Sequence, residues 1–432
     1  MRAATLLAAL LLCQSASPPV RLSAQGVALT GATVHTVSGA KVEGATVLLR
    51  NGLVEAVGAG VSVPSGYAVL DVAGKVITPG LVHASAGVGA GVGNDQGSMD
   101  AGDQDGEHTA IQGTSDDTKQ GDVNPSFSVA DGIDPYAVNI PVARMGGITT
   151  ALVTPGGRFV NGRGAWVSLF GTRLDDVLVR RDGALIVDLS AGARQAGGGS
   201  RAGAMQRFKG LLRDALVWEK RRLEYEQNRI RPLAAPGDEL EALLPALKGR
   251  LPVFVTAKRA ADIDGVLRLK REFPALRLIL REGDEAWVHA KAIAAAGIPV
   301  ALNARDDIPS FDGVRPRLDN AALLHAAGVK VIIAGGDPGG ERNLRHNAGF
   351  AVRAGLPWEA ALRAITLEPA LAFGLERRGA LEKGAVADLV VWSGDPFEFS
   401  SAAERVFVRG VEVPMTSRMT ELRDRYRRLP PP

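Results

Sequence analysis

Cysteine is almost absent: Cys13 is the only one in 432 residues. A disulfide framework is excluded, and so is a cysteine nucleophile if the chain is cut after Cys13. Histidine is also scarce, with six in all. Aromatics make up 5% of the residues, against 52 glycines; that balance favours tight connecting loops over large stacked cores. Neither charge dominates, with 50 basic against 47 acidic residues. Such a balance gives no electrostatic case for nucleic acid. No apolar run is long enough to span a bilayer. A phosphate loop is missing as well, because Gly335-Gly336-Asp337-Pro338-Gly339-Gly340 lacks the Lys-Ser/Thr end. No Gly-x-Ser-x-Gly elbow stands with an acid and a histidine in the expected order.

The N-terminus has the shape of an export signal. Arg2 is followed by an apolar run from Ala3 to Cys13, then small and polar residues to Gln25. Cleavage is expected near Ala24-Gln25-Gly26, giving a periplasmic or extracellular protein without a membrane anchor. Taking Arg2 and Arg21 from 50 leaves 48 basic residues against 47 acidic.

The length exceeds one ordinary domain and can hold a barrel of about 250 residues plus a smaller module. Residues 27–73 read as short strands, with Asn51-Gly52 as a hairpin turn. His35 is a strand-face residue there. From Asp134 strands alternate with helical patterns: Gly147–Val153, Ala184–Leu189, Val253–Val255, Leu276–Leu280, Val300–Leu302 and Val329–Ile333. Alternation predicts parallel strands with right-handed crossovers. Strands return at Asp388–Trp392 and Arg405–Val408. They cannot extend a closed barrel and most simply pair with the N-terminal strands. The expected architecture is a (β/α)8 TIM-type barrel at 76–375. A small β-sandwich built from 26–75 and 376–414 joins it, and a basic helical tail at 415–432 ends the chain. The acidic, Gly-rich stretch 89–122 contains Asp103-Gln104-Asp105-Gly106, part of a calcium-loop pattern. Ala101 stands where that pattern needs Asp, so a solvated loop is the simpler reading, and His108 falls within it.

Two stretches carry a family resemblance. One is Val76-Ile77-Thr78-Pro79-Gly80-Leu81-Val82-His83-Ala84-Ser85-Ala86-Gly87. The other runs from Ala364-Ile365-Thr366-Leu367-Glu368-Pro369-Ala370 to Gly384-Ala385-Val386-Ala387-Asp388-Leu389-Val390-Val391-Trp392. Nearly all of the chain past the signal resembles the metal-dependent amidohydrolases, and within them the imidazolonepropionase-like branch. In that family a V-x-P-G-L-I-D-x-H-x-H run enters the barrel, and its two His bind the catalytic metal. Here those positions are Ser85 and Gly87, and His83 stands where the family has Asp.

The resemblance places the strand-5 ligand at Thr256, in Val255-Thr256-Ala257-Lys258-Arg259, and the strand-6 ligand at Glu282. The strand-8 Asp falls at Gly336, or at Asp337 with a one-residue slip. For the strand-4 ligand only Asp188 offers a weak local match. His289, His325 and His346 sit in helical segments that do not repair the set. Two carboxylates without imidazoles make a poor zinc site. No cofactor is therefore expected beyond a weakly bound hard cation on Glu282 and Asp337. Asp337 is also the candidate catalytic acid or base. Ser85, Thr256 and Lys258 are the candidate binders of a small-molecule ligand at the barrel mouth. The resemblance thus implies an exported barrel with a degenerate metal centre, non-catalytic or weakly catalytic. The alternative is a hydrolase of non-peptide C–N bonds, of cyclic amide or imidazolone type, with a rebuilt carboxylate site. A homo-oligomer is compatible with either.

Overall fold

The computed structural model describes residues 26–89, 122–157, 159–305, 308–309, 313–335 and 341–427. The signal-like segment, His108, the calcium-like run, Gly336 and Asp337 lie outside them.

Two eight-stranded sheets organise the chain. The first collects β1 (Gly26–Val34), β2 (Val42–Arg50), β3 (Leu53–Gly58), β4 (Tyr67–Asp71) and β5 (Val76–Pro79). The second holds β6 (Leu81–Ala86), β7 (Ile148–Val153), β8 (Val160–Ser168), β9 (Leu178–Asp188), β10 (Val253–Thr256), β11 (Leu278–Arg281), β12 (Val300–Leu302) and β13 (Val331–Ile333). The chain then returns to the first sheet with β14 (Leu389–Trp392), β15 (Ala403–Val408) and β16 (Val411–Glu412).

Strands from both chain ends therefore share one sheet, in the order β16-β15-β14-β5-β1-β2-β3, with β4 also on β1. All eight strands belong to a single hydrogen-bonded network. One apolar cluster draws Leu29, Val47, Leu49, Val54, Ile77, Leu389, Val391 and Phe407 from across it, so the sheet curls over a common core. β5 pairs antiparallel with β14, Val391 opposite Ile77. It thus belongs to this sheet, and the change of sheet comes at Gly80 rather than at the expected 75/76 boundary. A Cβ at Gly80 would lie 2.2 Å from Thr149 Oγ1; only glycine lets the corner pass so close to β7.

The second sheet runs β13-β12-β11-β10-β9-β8-β7-β6 and is nearly closed. β9 to β13 are mutually parallel, as are β6 and β7. β8 departs from the expected all-parallel barrel, because it runs antiparallel to both β7 and β9. Two glycines admit it. Gly162 takes φ +113, beside a register shift, and a Cβ at Gly164 would meet Val153 O at 2.8 Å. Where the strand path ends, Val82 N donates to Ile365 O at 2.8 Å.

The barrel interior is apolar: Val82, Leu152, Ile186, Phe254, Ile279, Ala301 and Ile332 pack with Ala370 and Phe373. Phe373, on the helix Leu367–Phe373, sets its ring edge-on to Trp166 at 5.3 Å and to Phe254 at 5.2 Å. Arg180, near the start of β9, donates to Phe373 O at 2.9 Å, and Arg277, just before β11, donates to Ala372 O at 3.1 Å. This helix thus plugs the end where the parallel strands begin. Their C-terminal ends are left to form a mouth.

Asp388 joins the two sheets. It is buried, receives Arg409 N at 2.8 Å, and pairs with Arg378, which also donates to Thr150 Oγ1 on β7 at 3.0 Å. Gly80 N donates to its carbonyl at 2.8 Å.

Candidate functional site

Each parallel strand ends at the mouth with a residue that its register fixes. Thr256 stands between Asp188 on β9 and Arg281 on β11. Just beyond these ends lies a cavity of about 300 Å3, lined by Ser85, Phe254, Lys258, Arg281, Glu282, Asp284, Ala301, Leu302, Asn303, Ala334 and Gly335. That volume is at the lower end of the range for small-molecule sites. A second cavity of about 280 Å3 adjoins it, lined by Ser190, Ala191, Gly192, Lys258, Asp284, Glu285 and Gly313. Lys258 and Asp284 form the wall between the two.

Of the residues expected at the mouth, Ser85, Lys258 and Glu282 share the first cavity. Thr256 is buried at the end of β10, and its carbonyl accepts from Leu189 N at 3.0 Å; its side chain does not line the cavity. Ala334 and Gly335 carry the chain to the edge of the segment that holds Asp337.

Glu282 lines the first cavity. It takes φ +57 directly after β11, an uncommon conformation for a residue with a Cβ. Its N–H donates to Ala301 O at 2.8 Å and its carbonyl accepts from Asp284 N at 2.8 Å. Oε2 receives Lys258 Nζ at 2.9 Å, and Oε1 lies 3.5 Å from Arg281 Nε. The Arg281 guanidinium in turn lies 5.7 Å from the centroid of Phe254.

The charges shift one another. Burial pushes the Glu282 carboxyl up, but Arg281 and Lys258 outweigh it and leave the group below its ordinary value. Burial lowers Lys258, and the carboxylates of Glu282, Asp284 and Asp188 reverse that, so its net shift is upward. Asp284 is pushed up to about 7, first by burial and then by the charges of Glu282 and Glu285, against the pull of Lys258. Asp188 is also raised by burial, although Ser190 N donates to its Oδ1 at 2.7 Å.

Several residues of the site carry no sequence pattern. Asn320 is fully buried and donates from Nδ2 to Gly283 O at 2.9 Å and to Asp284 O at 3.3 Å; its Oδ1 accepts from Trp287 N at 3.1 Å. Glu285 accepts from Ala260 N at 2.9 Å and from Arg315 N at 3.0 Å. Glu341 is buried and accepts from Gly87 N at 3.2 Å. Asn139 flanks the same turn, donating to Gly87 O at 3.1 Å and accepting from Gly89 N at 3.2 Å. The only sequence signal among them is the acidic run Glu282-Gly283-Asp284-Glu285. The others act across long separations. His83 is buried just before the mouth and falls to about 4, because burial disfavours the imidazolium. Its Nδ1 accepts from Ser85 N at 3.2 Å.

A profile described as "Amidohydrolase family" matches residues 283–414. An amidohydrolase of Thermotoga maritima MSB8 superposes with a TM-score of 0.76 at 26% identity, covering 90% of this chain and 99% of that one. These likenesses support the amidohydrolase superfamily. The amidohydrolase tasK of Hapsidospora irregularis is 24% identical over 390 residues, which are 81% of this chain; the chain spans 37% of that relative's length. Molinate hydrolase shares the fold, with a TM-score of 0.53 at 16% identity over 91% of this chain and 95% of its own.

Amidohydrolases are typically metal-dependent, so the donor set decides what this mouth can hold. Ser85 and Gly87 bring no imidazole, and both Glu282 oxygens already face cations. Among the described residues no group of three or more His, Cys, Asp or Glu is placed to hold a metal ion. These residues do not fit the superfamily's metal centre. What they do offer is a polar, charge-paired chamber with an apolar wall.

Proposed function

We propose that this chain is an exported member of the amidohydrolase superfamily that has lost metal-dependent hydrolysis and binds a small polar molecule at the barrel mouth. One observation carries the reading: at the strand-6 ligand position, Glu282 engages Lys258 and Arg281. A zinc centre needs deprotonated donors with open lone pairs, and a route to hydroxide needs a metal that lowers the pKa of its water. Here two side-chain cations hold the carboxylate. Lys258 and Ser85 remain as donors toward a ligand, with Phe254 and Leu302 as apolar wall.

In this reading the nearly closed sheet is a (β/α)8-type barrel with one strand reversed. The curled sheet of 26–79 and 376–414 is its sandwich-like β domain. Residues 1–25 are removed on export, and the intact mass of protein recovered from the cell envelope tests this. Among the described residues no helix is long and apolar enough to cross a membrane.

The competing reading, a hydrolase of non-peptide C–N bonds using Glu282 and Asp337, is favoured by membership of the superfamily. Turnover separates the two. The mature protein, saturated with Zn2+ or Mn2+, should not hydrolyse hydantoin-like or imidazolone-like amides. Hydrolysis that Glu282→Ala or Asp337→Ala abolishes would establish the hydrolase instead.

A further inference from the structure

We propose that the mouth takes a small carboxylate, held by the guanidinium of Arg281 and the ammonium of Lys258. The inference rests on the reading above and deepens it by naming the class of ligand.

The register of β11 puts a cation inside the barrel. Ile279 packs in the barrel interior, while Leu278 and Leu280 belong to the outer apolar layer. Alternation turns Arg281 inward with Ile279. Its guanidinium lies 5.7 Å from the centroid of Phe254, an interior residue, and its side chain is only 25% exposed. Arg281 Nε lies 3.5 Å from Glu282 Oε1. Among the described residues its two terminal nitrogens donate to nothing. Lys258 spends one of its three hydrogens on Glu282, at 2.9 Å. Glu282 thus holds two cations at the mouth and leaves most of their donors free.

Both cations line the first cavity, as does the Ser85 hydroxyl. A planar fork of N–H donors beside an ammonium matches a carboxylate. Phe254, Ala301 and Leu302 line the same space and suit an apolar body. Asp284 is the other acid of the lining; burial pushes it up to about 7, so it does not cancel the two cations. The volume of about 300 Å3 keeps the ligand small.

The test is calorimetric titration of the purified protein with benzoate, benzamide and benzamidinium, three probes of nearly one shape and different charge. Benzoate should bind saturably and at least about tenfold more tightly than the other two. Arg281→Met should remove that preference, and Lys258→Met should reduce it. Equal binding of benzamide or benzamidinium overturns the inference. So does a lack of saturable benzoate binding, or a benzoate affinity unchanged in either folded variant. The functional reading falls to different results, namely tightly held zinc or hydrolysis of amides. A second measurement needs no variant: a crystal structure of the wild type with 4-bromobenzoate. The carboxylate should lie within hydrogen-bond distance of Arg281, with the anomalous peak of bromine in the first cavity. A peak elsewhere contradicts the inference.

Discussion

Asn320 Nδ2 donates to Gly283 O at 2.9 Å. A buried amide after β12 thereby fixes the turn that presents Glu282 and Asp284 after β11. Asn320→Ala would leave the Gly283 carbonyl and the Trp287 N–H without their partner. The expected cost is about 1–3 kcal/mol, the penalty for an unsatisfied buried polar group. Denaturant unfolding should show it, and Asn320→Asp should not restore it, because a carboxylate cannot donate to carbonyls.

The Lys258–Glu282 pair should contribute modestly to stability. Both side chains are more than a third exposed, at 44% and 37%, so solvent screens them. A double-mutant cycle with Lys258→Met and Glu282→Gln should give a coupling of roughly 0.2–1 kcal/mol that shrinks with added salt.

Buried His83 and half-buried Asp284 set opposite pH dependences. His83 has its folded value lowered from 6.5 to about 4. Its contribution is present above 6.5 and lost as pH falls toward 4, since the unfolded chain takes the proton first. Asp284 has its folded value raised from 3.8 to about 7. Its contribution is present below 3.8 and lost as pH rises through about 7. Melting curves across pH 4–8 should therefore show His83→Gln flattening the acid side relative to wild type. Asp284→Asn should flatten the neutral side. Parallel wild-type and variant curves would refute either assignment.

Truncation after Gly374 removes β14–β16. It exposes the β5 edge and strips Leu389, Val391 and Phe407 from the core of the curled sheet. Trp392, which donates to buried Thr78 at 2.9 Å, goes with them. The shortened chain should aggregate or melt without cooperativity. A native-like melt would mean that the two ends fold separately.

The barrel was legible where strands are short, apolar and buried on both faces. Val253-Phe254-Val255 and Val331-Ile332-Ile333 are of this kind, and both appear at their expected places. β8 was hidden because Gly162 and Gly164 interrupt its pattern, although those glycines are what allow it to pack. Asp388 could be read as part of a family pattern, but not as the residue that ties β7 to the curled sheet. At the mouth, Ser85, Lys258 and Glu282 could be named from the sequence, and the structure brings them to one cavity. The ion pairs that engage Glu282 could not, because Lys258 meets it only when β10 and β11 lie side by side. Asn320 and Glu341 act over longer separations still, through hydrogen bonds that no local spacing encodes.

The central claim is that the mouth is charge-paired from within and does not hold the superfamily's metal. Elemental analysis of the purified mature protein, after dialysis against Zn2+ and then metal-free buffer, tests it most directly. The account predicts zinc far below one equivalent per chain, and tightly bound zinc in the variant carrying Ser85→His, Gly87→His, Thr256→His and Glu282→His with Gly336→Asp. One tightly bound equivalent in the unmodified protein would contradict it.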